Sequence, residues 1–418
     1  MRTPILLFAI LAGSALPVAL AQEPKGDRGE LVRDRTAFGL ALHRRFAAAG
    51  GNVFFSPQSV FTTIEMVRVG ATGETAAEIA SALHTALPDD RLLRAHAGLM
   101  SEVKRTGYEL RAGSALFAQK GERFGRDFSD RIERGLGGEL FAVDFAKRAE
   151  AARAEVNDWA SRKTGGKIPA ILGPTDVDRD TAFVLANAVF FSAKWRSPFP
   201  ASGTWEGTFT SPDGAVKAPL MHDTLGPREA AGYRYGESAG LQALAIPYKG
   251  DELSLVVLLP PAGQLERLEG RLDRDALAGI LDSLAPLPRL LGERKNPTIE
   301  ITLPRFKART RVDLKPHLKA LGAKRVFSER DAELRGIVPD RATHLSAVLH
   351  EAVIELDEQG TQAAAATTAV GGFSFGDGPP PPPQPIRFTA DRPFVYLLRH
   401  DATGLIFFMG RLVDPTKG

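Results

Sequence analysis

A strand signature ends at Leu356, and the segment after it suits neither a helix nor a second strand of the same kind. Asp357-Glu358-Gln359-Gly360-Thr361-Gln362-Ala363-Ala364-Ala365-Ala366-Thr367-Thr368 is a run of mostly small side chains. Before it, Val348, His350, Ala352, Ile354 and Leu356 share one face at period two over 347–356. After it comes 371–385, with five consecutive prolines at 379–383. Small side chains of this kind can sit exposed in one state and be packed inside a sheet in another. That double capability is the physical requirement for a loop that inserts itself as a new strand.

The proline segment narrows the choice. Proline fixes φ and has no backbone donor, so 371–385 is neither a central strand nor a helix interior. Polyproline II is its expected form, and five prolines then span roughly 15 Å. The residues beyond Arg392 are too few for a second domain, and they read as core strands. The segment is therefore expected as an exposed loop tethered at both ends, not as an interdomain linker.

Arg2 precedes an apolar run, 5–11, and a small-residue stretch ends in Ala19-Leu20-Ala21. This is the order of a cleaved signal peptide at 1–21. The apolar core is short and interrupted by Gly13 and Pro17, so a membrane anchor is not expected. An exported chain, periplasmic or extracellular, is the expected consequence. With no cysteine, it has no disulfides to stabilise it and must rely on a large core alone. The formal charge of +3 (53 minus 50) comes without any concentrated basic run, so nucleic acid is not an expected partner.

The remaining pattern is α+β. Thr75-Ala76-Ala77-Glu78 has the form of a capping box opening a helix with Ile79, Leu83 and Leu87 on one face. The segments 183–191, Leu253–Leu259 and 298–303 read as strands. So do 394–398 and 405–409, joined by an Asp401-Ala402-Thr403-Gly404 turn. Helix signals dominate early and strand signals late, and no linker divides 25–370, so 22–418 is expected to form a single domain.

Catalytic patterns fail on context. Gly372-Phe373-Ser374-Phe375-Gly376 matches a nucleophile-elbow pattern, and Asp391 and His400 come after it in hydrolase order. The elbow needs a buried strand before the serine and a helix after it. Here alanines precede it and Asp-Gly-Pro-Pro comes next. The eight histidines show no metal-ligand spacing, and Gly70-Ala71-Thr72-Gly73 lacks the Lys-Ser/Thr of a phosphate loop. No catalytic residue, metal or cofactor is expected.

Several motifs, in sequence order, resemble the serpin family over residues 30–415. They are Asn52-Val53-Phe54-Phe55-Ser56-Pro57-Gln58-Ser59, Gly70-Ala71-x-Gly73-x-Thr75, Asn157-x-Trp159 and Thr164-x-Gly166-Lys167-Ile168. Then come Asn187-Ala188-Val189-Phe190-Phe191 with Lys194-Trp195 and Phe199, Pro247-Tyr248, Leu259-Pro260 and Pro304-Arg305-Phe306. His350, Pro393-Phe394 and Phe408-Met409-Gly410-Arg411 complete the set. The resemblance implies three β-sheets, eight or nine helices, and a reactive-centre loop at about 358–388 presented to a protease. It further implies a suicide substrate: the protease forms an acyl-enzyme with the loop, which then inserts into the main sheet and traps it. The implied partner is a serine protease, with cysteine proteases as a second class, held covalently by a monomeric inhibitor.

Within that resemblance the loop residues bear on activity. Counting from Glu358, the residues Thr361, Ala363, Ala365 and Thr367 share one face, and all are small. Gly360 supplies a hinge conformation that a Cβ would restrict. The family's hinge-to-bait spacing places the scissile bond between Ser374 and Phe375, with Phe373-Ser374 and Phe375-Gly376 as alternatives. Gln359 departs from the acidic or basic residue common there, and the proline run lengthens the far side of the loop. An aromatic or small bait residue suits a chymotrypsin-like or elastase-like protease, whereas Arg387 lies too far along to serve trypsin. The alternatives are a serpin-fold binding protein whose loop is only a substrate, and a hydrolase using Ser374.

Overall fold

The computed structural model describes residues 26–103, 107–292, 298–361 and 385–417. The expected signal peptide, the bait and the prolines at 379–383 lie outside these residues. Three sheets and ten α-helices form among the described residues. The main sheet runs, edge to edge, through Phe306–Asp313, Leu345–Asp357, the short Gly360–Thr361, Phe183–Lys194, Tyr108–Gln119 and Glu139–Val143. A seven-stranded sheet carries the C-terminal hairpin, Phe394–His400 against Ile406–Leu412. A four-stranded sheet pairs Ile386–Thr389 with Ile299–Pro304.

The main sheet is buried on both faces, and the strand alternation shows how. From Phe183–Lys194, the residues Phe183, Leu185, Val189, Phe191 and Ala193 join the large core shared with the seven-stranded sheet. Val184, Ala186 and Ala188 face a second cluster built around Phe117, Trp159, Ile168 and Ile171. Helix Phe145–Thr164 covers that second face. In Leu345–Asp357 the expected face is buried throughout, with Val348, His350, Ala352, Ile354 and Leu356 at 0% exposure.

Short polar signatures hold the loops to this frame. Ser56 caps helix Pro57–Arg68, its hydroxyl accepting from Ser59 N at 3.1 Å, with Pro57 in the first turn, where its missing donor costs nothing. Asn157, buried on the covering helix, accepts from Ile171 N at 2.9 Å and Leu172 N at 2.7 Å, and its amide nitrogen donates to Leu172 O at 3.0 Å. Asn52 clamps the C-terminus by accepting from Val413 N and Asp414 N.

The capping box at Thr75 does not form. The helix starts earlier, at Gly73, and ends at Ala82, before Leu87. Thr75 and Glu78 reach outward instead: Thr75 Oγ1 accepts from Glu333 N, and Glu78 accepts from Lys324 N and Arg325 N. Tertiary donors from the 324–333 segment have displaced the local ones. Pieces of only five to seven residues, such as Arg126–Asp130, Leu265–Arg271, Leu287–Gly292 and Lys315–Ala320, raise the helix number to ten.

Asn157→Ala leaves two buried amides without an acceptor, and we expect it to lower the stability of the 145–172 region by about 2–4 kcal/mol. A urea-gradient midpoint indistinguishable from the parent would contradict this account of the motif.

Candidate functional site

Strands Leu345–Asp357 and Phe183–Lys194 pair in parallel from Leu345↔Phe183 to Val353↔Phe190. Beyond that point they part, and the chain itself fills the opening. Leu345–Asp357 turns through Glu358 and Gln359 and returns as Gly360–Thr361, antiparallel to both neighbours: Leu356↔Thr361↔Ala193 and Asp357↔Gly360↔Lys194. Asp357 Oδ1 closes the turn, accepting from Gln359 N at 2.9 Å and Gly360 N at 3.2 Å. Gly360 has φ 142°, and a Cβ there would fall 2.1 Å from Ala193 O, so only glycine fits. Two of the six expected hinge residues, Gly360 and Thr361, are thus already strand residues of the main sheet.

The turn is held on every side. Phe199 N donates to Glu358 O and Trp195 N to Gln359 O, both at 2.9 Å. Trp195 Nε1 donates to Asp357 O at 2.9 Å, and its ring stacks on Tyr248 with centroids 4.5 Å apart. Tyr248 OH lies 2.9 Å from Thr361 Oγ1, and Ser192 Oγ donates to Thr361 O at 3.0 Å. Thr361 is fully buried. The Glu358 carboxylate accepts from Thr204 Oγ1 at 2.6 Å and pairs with Arg305. Partial burial pushes that carboxyl up, but the bonds from Thr204 and Arg305 outweigh it and hold the group below its ordinary range.

At the other end, the chain re-enters structure earlier than expected. Ile386–Thr389 is a strand whose Ile386 N donates to Thr298 O, and Arg387 pairs with Glu300. The loop therefore stops short of 386 rather than running to 388. Ala363, Ala365 and Thr367, together with Phe373, Ser374, Phe375 and Gly376, lie outside the described residues.

Below the hinge, the closed part of the sheet is clasped by a buried polar network. His350 Nδ1 lies 2.7 Å from Asn187 Oδ1, and His350 Nε2 accepts from Ser56 N at 3.2 Å. Asn187 Nδ2 donates to Ser59 Oγ at 2.6 Å and Gly113 O at 3.0 Å. One histidine and one asparagine thus tie three adjacent strands to the start of helix Pro57–Arg68. Burial, only partly opposed by Asn187, drives the His350 pKa down to about 3, so the ring is neutral, and accepting from Ser56 fixes Nδ1 as its donor.

Of the hydrolase-order residues, Asp391 and His400 lie among the described residues, each with partners of its own. His400 is buried in the C-terminal hairpin turn with Nδ1 2.9 Å from Thr403 Oγ1, and Asp391 pairs with Arg392. Among the described residues no group of three or more His, Asp or Glu side chains is placed to hold a metal, and no helix is long and apolar enough to cross a membrane. Arg305, Trp195, Tyr248, Asn187 and His350 all stand in the motifs that carry the family resemblance. Thr204 and Ser192 do not, and no local pattern marks them: each matters only because folding carries it to the turn.

A family model described as Serpin (serine protease inhibitor) matches residues 33–415. An uncharacterized serpin-like protein of Thermococcus kodakarensis is 32% identical over 94% of this chain and 88% of its own length. The leukocyte elastase inhibitor of Equus caballus is 32% identical over 92% of this chain and 100% of its own. Among solved structures, Serpin48 of Tenebrio molitor superposes with a TM-score of 0.78 at 25% identity, covering 92% of this chain and 98% of that one.

His96, buried on helix Asp89–Glu102 with Arg35 Nη2 donating to its Nδ1 at 2.6 Å, is held near pKa 3 by burial and then by the Arg35 charge, as His350 is by burial, against 6.5 in an unfolded chain. Below about pH 6.5 the unfolded chain takes up protons that the fold refuses. Stability should be full above that pH and fall continuously toward pH 3, by up to about 1.4 kcal/mol per pH unit per histidine. Thermal midpoints from pH 7.5 to 4.5 should show the fall, shallower in His350→Gln; a flat profile contradicts it. Separately, Gly360→Ala should expel Gly360 and Thr361 from the sheet, shifting the emission of Trp195; an unchanged spectrum would mean the turn tolerates a Cβ.

Proposed function

This chain belongs to the serpin family of serine protease inhibitors, and we propose that it works as a suicide substrate whose loop, once cleaved, enters the main sheet and traps the protease as an acyl-enzyme. The observation that supports this reading most directly is the turn at Glu358 and Gln359. It has already reversed the chain and started an antiparallel strand where the two central strands of the main sheet part. The next residues can only lengthen that strand or leave it.

The energetic direction is favourable. At its centre the sheet has a parallel seam, Leu345–Asp357 against Phe183–Lys194. Full insertion replaces that seam by two antiparallel ladders, which pair somewhat better per residue. The native state is then a kinetic trap, relieved when the loop is cut. Side-chain size permits the change. Thr361 pairs with Leu356 and Ala193, both in the large core, so Thr361, Ala363, Ala365 and Thr367 would enter on the core face, where volume is limited. Continuing the same register would set Thr367 between Asn187 and His350. Its hydroxyl could then satisfy both partners of the clasp that insertion separates.

The bait is expected within Phe373, Ser374, Phe375 and Gly376, and a chymotrypsin-like or elastase-like protease is the proposed target. The proposed form is a monomer exported by cleavage of the 1–21 segment, with 22–418 as one domain and no enzymatic activity of its own.

Incubation with chymotrypsin and with elastase, followed by denaturing electrophoresis, tests this. A detergent-stable covalent complex is expected. Cleavage alone would make the loop only a substrate, and esterase activity lost in Ser374→Ala would make the chain a hydrolase. Thr361→Arg should shift most turnover from complex to cleaved loop, because an arginine cannot occupy the fully buried Thr361 position. Full retained inhibition in that variant would sink the insertion mechanism.

A further inference from the structure

Two adjoining cavities, of about 370 and 290 Å³, lie at the C-terminal end of strand Ile406–Leu412. The turn between strands Trp205–Ser211 and Gly214–Leu225 flanks them on one side, and the start of helix Leu265–Arg271 on another. They share Ser211, Pro212, Glu266, Arg411 and Val413, and so form one trench. Its combined volume falls in the range of small-molecule sites. Pro212, Pro261, Leu265, Pro393 and Val413 line the smaller chamber. Prolines have almost no side-chain freedom to lose, so this apolar wall is formed before any ligand arrives.

Two buried polar side chains interrupt that wall. Ser211 is 5% exposed, and its Oγ has no hydrogen-bond partner among the described residues. Arg411 is 6% exposed. Its Nε donates to Gly51 O and its Nη1 to Glu269 Oε2, both at 2.9 Å, and its Nη2 makes no bond among the described residues. Glu269 Oε1 lies 2.8 Å from His43 Nε2, so the carboxylate that holds the guanidinium is itself anchored. Arg392 also lines the smaller chamber, with Nε donating to Pro260 O at 2.9 Å and Nη1 3.1 Å from Asp391 Oδ1. Neither Glu269 nor Asp391 lines the trench, so both arginines border it without their counter-ions.

A guanidinium only donates, whereas a serine hydroxyl donates or accepts. One acceptor group can therefore satisfy both. A hydroxyl orphaned at this depth is costly until a partner reaches it. We propose that the smaller chamber binds a compact apolar carboxylate. Its head accepts from Arg411 Nη2 and Ser211 Oγ, and its body lies against Pro212, Pro261 and Pro393.

The charges set the choice of head group. An ammonium would be set against two guanidiniums. A neutral amide could take the same bonds, but without the charge assistance that roughly doubles their strength. Among the described residues Glu266 is the one acid lining the smaller chamber, and it is exposed, where solvent and salt screen it. The larger chamber suits the head less, because Asp213 and Asp414 line it and Lys417 is already paired with both. No hinge or loop residue takes part, so the site stands whether or not the chain inhibits by insertion.

The test uses the full chain with 3-cyclohexylpropionate as the anionic probe and 3-cyclohexylpropanamide as its neutral counterpart, followed by ligand-observed NMR and calorimetry. Saturable binding of the carboxylate is expected, at least tenfold tighter than that of the amide. Ser211→Ala should weaken it at least fivefold without lowering the thermal midpoint, since no protein bond is lost. Glu266→Trp, a bulky change at the mouth, should abolish it, whereas Glu266→Gln should tighten the carboxylate and leave the amide unchanged. Absence of saturable binding, or binding unchanged in both Ser211→Ala and Glu266→Trp, overturns the site. Equal or tighter binding of the amide, or weaker carboxylate binding in Glu266→Gln, overturns the assigned head group. A lowered midpoint in Ser211→Ala would mean that its hydroxyl already has a partner, and overturns its role as a donor to the ligand.

Discussion

The structure turns on a single hydrogen bond between two buried groups, His350 Nδ1 and Asn187 Oδ1, 2.7 Å apart. They belong to the two strands that form the parallel seam at the main sheet's centre. Each is also tied to helix Pro57–Arg68, His350 through Ser56 N and Asn187 through Ser59. In an apolar interior such a network is worth most when every member is satisfied and costs most when one is lost. The parallel seam is thus held by a polar network that weakens as a whole when any one member is lost.

Above that network the sheet is already open, and the chain has begun to fill it. The turn at Glu358 and Gln359 fixes direction, Gly360 removes the Cβ that would strike Ala193 O, and Thr361 is accommodated under Tyr248. Together they set the antiparallel register of Gly360 and Thr361 between the two central strands. The carboxylate of Glu358 works in the other direction. Its bonds to Thr204 and Arg305 anchor the turn at the sheet's end.

Much of this was legible in the residues. The period-two face of 347–356, the small residues after it and the proline stretch already described a strand feeding a loop able to re-enter a sheet. Of the expected hinge face, only Thr361 lies among the described residues, paired with Leu356 and Ala193. The local reading failed where a longer-range partner outcompeted a near one. Thr75 and Glu78 look like a capping pair, but Glu333 N and Lys324 N claim their oxygens, and the helix starts at Gly73. The loop's far end was misjudged for the same reason. Nothing near Ile386 announces that Thr298, far back in the chain, will take its amide hydrogen.

The sequence by itself determined which segments alternate, which side chains are small enough to be buried twice, and, through the motif set, which family the chain belongs to. These are local properties of side-chain volume, β-branching and backbone freedom. Only the tertiary structure decided that Gly360 and Thr361 already lie in the sheet, that Thr204 and Arg305 meet Glu358, and that Ser56 and Ser59 meet His350 and Asn187. Each of those facts depends on groups brought together from distant positions, and a buried hydrogen bond takes its partner from whatever folding places within about 3 Å, not from what stands nearby in the chain.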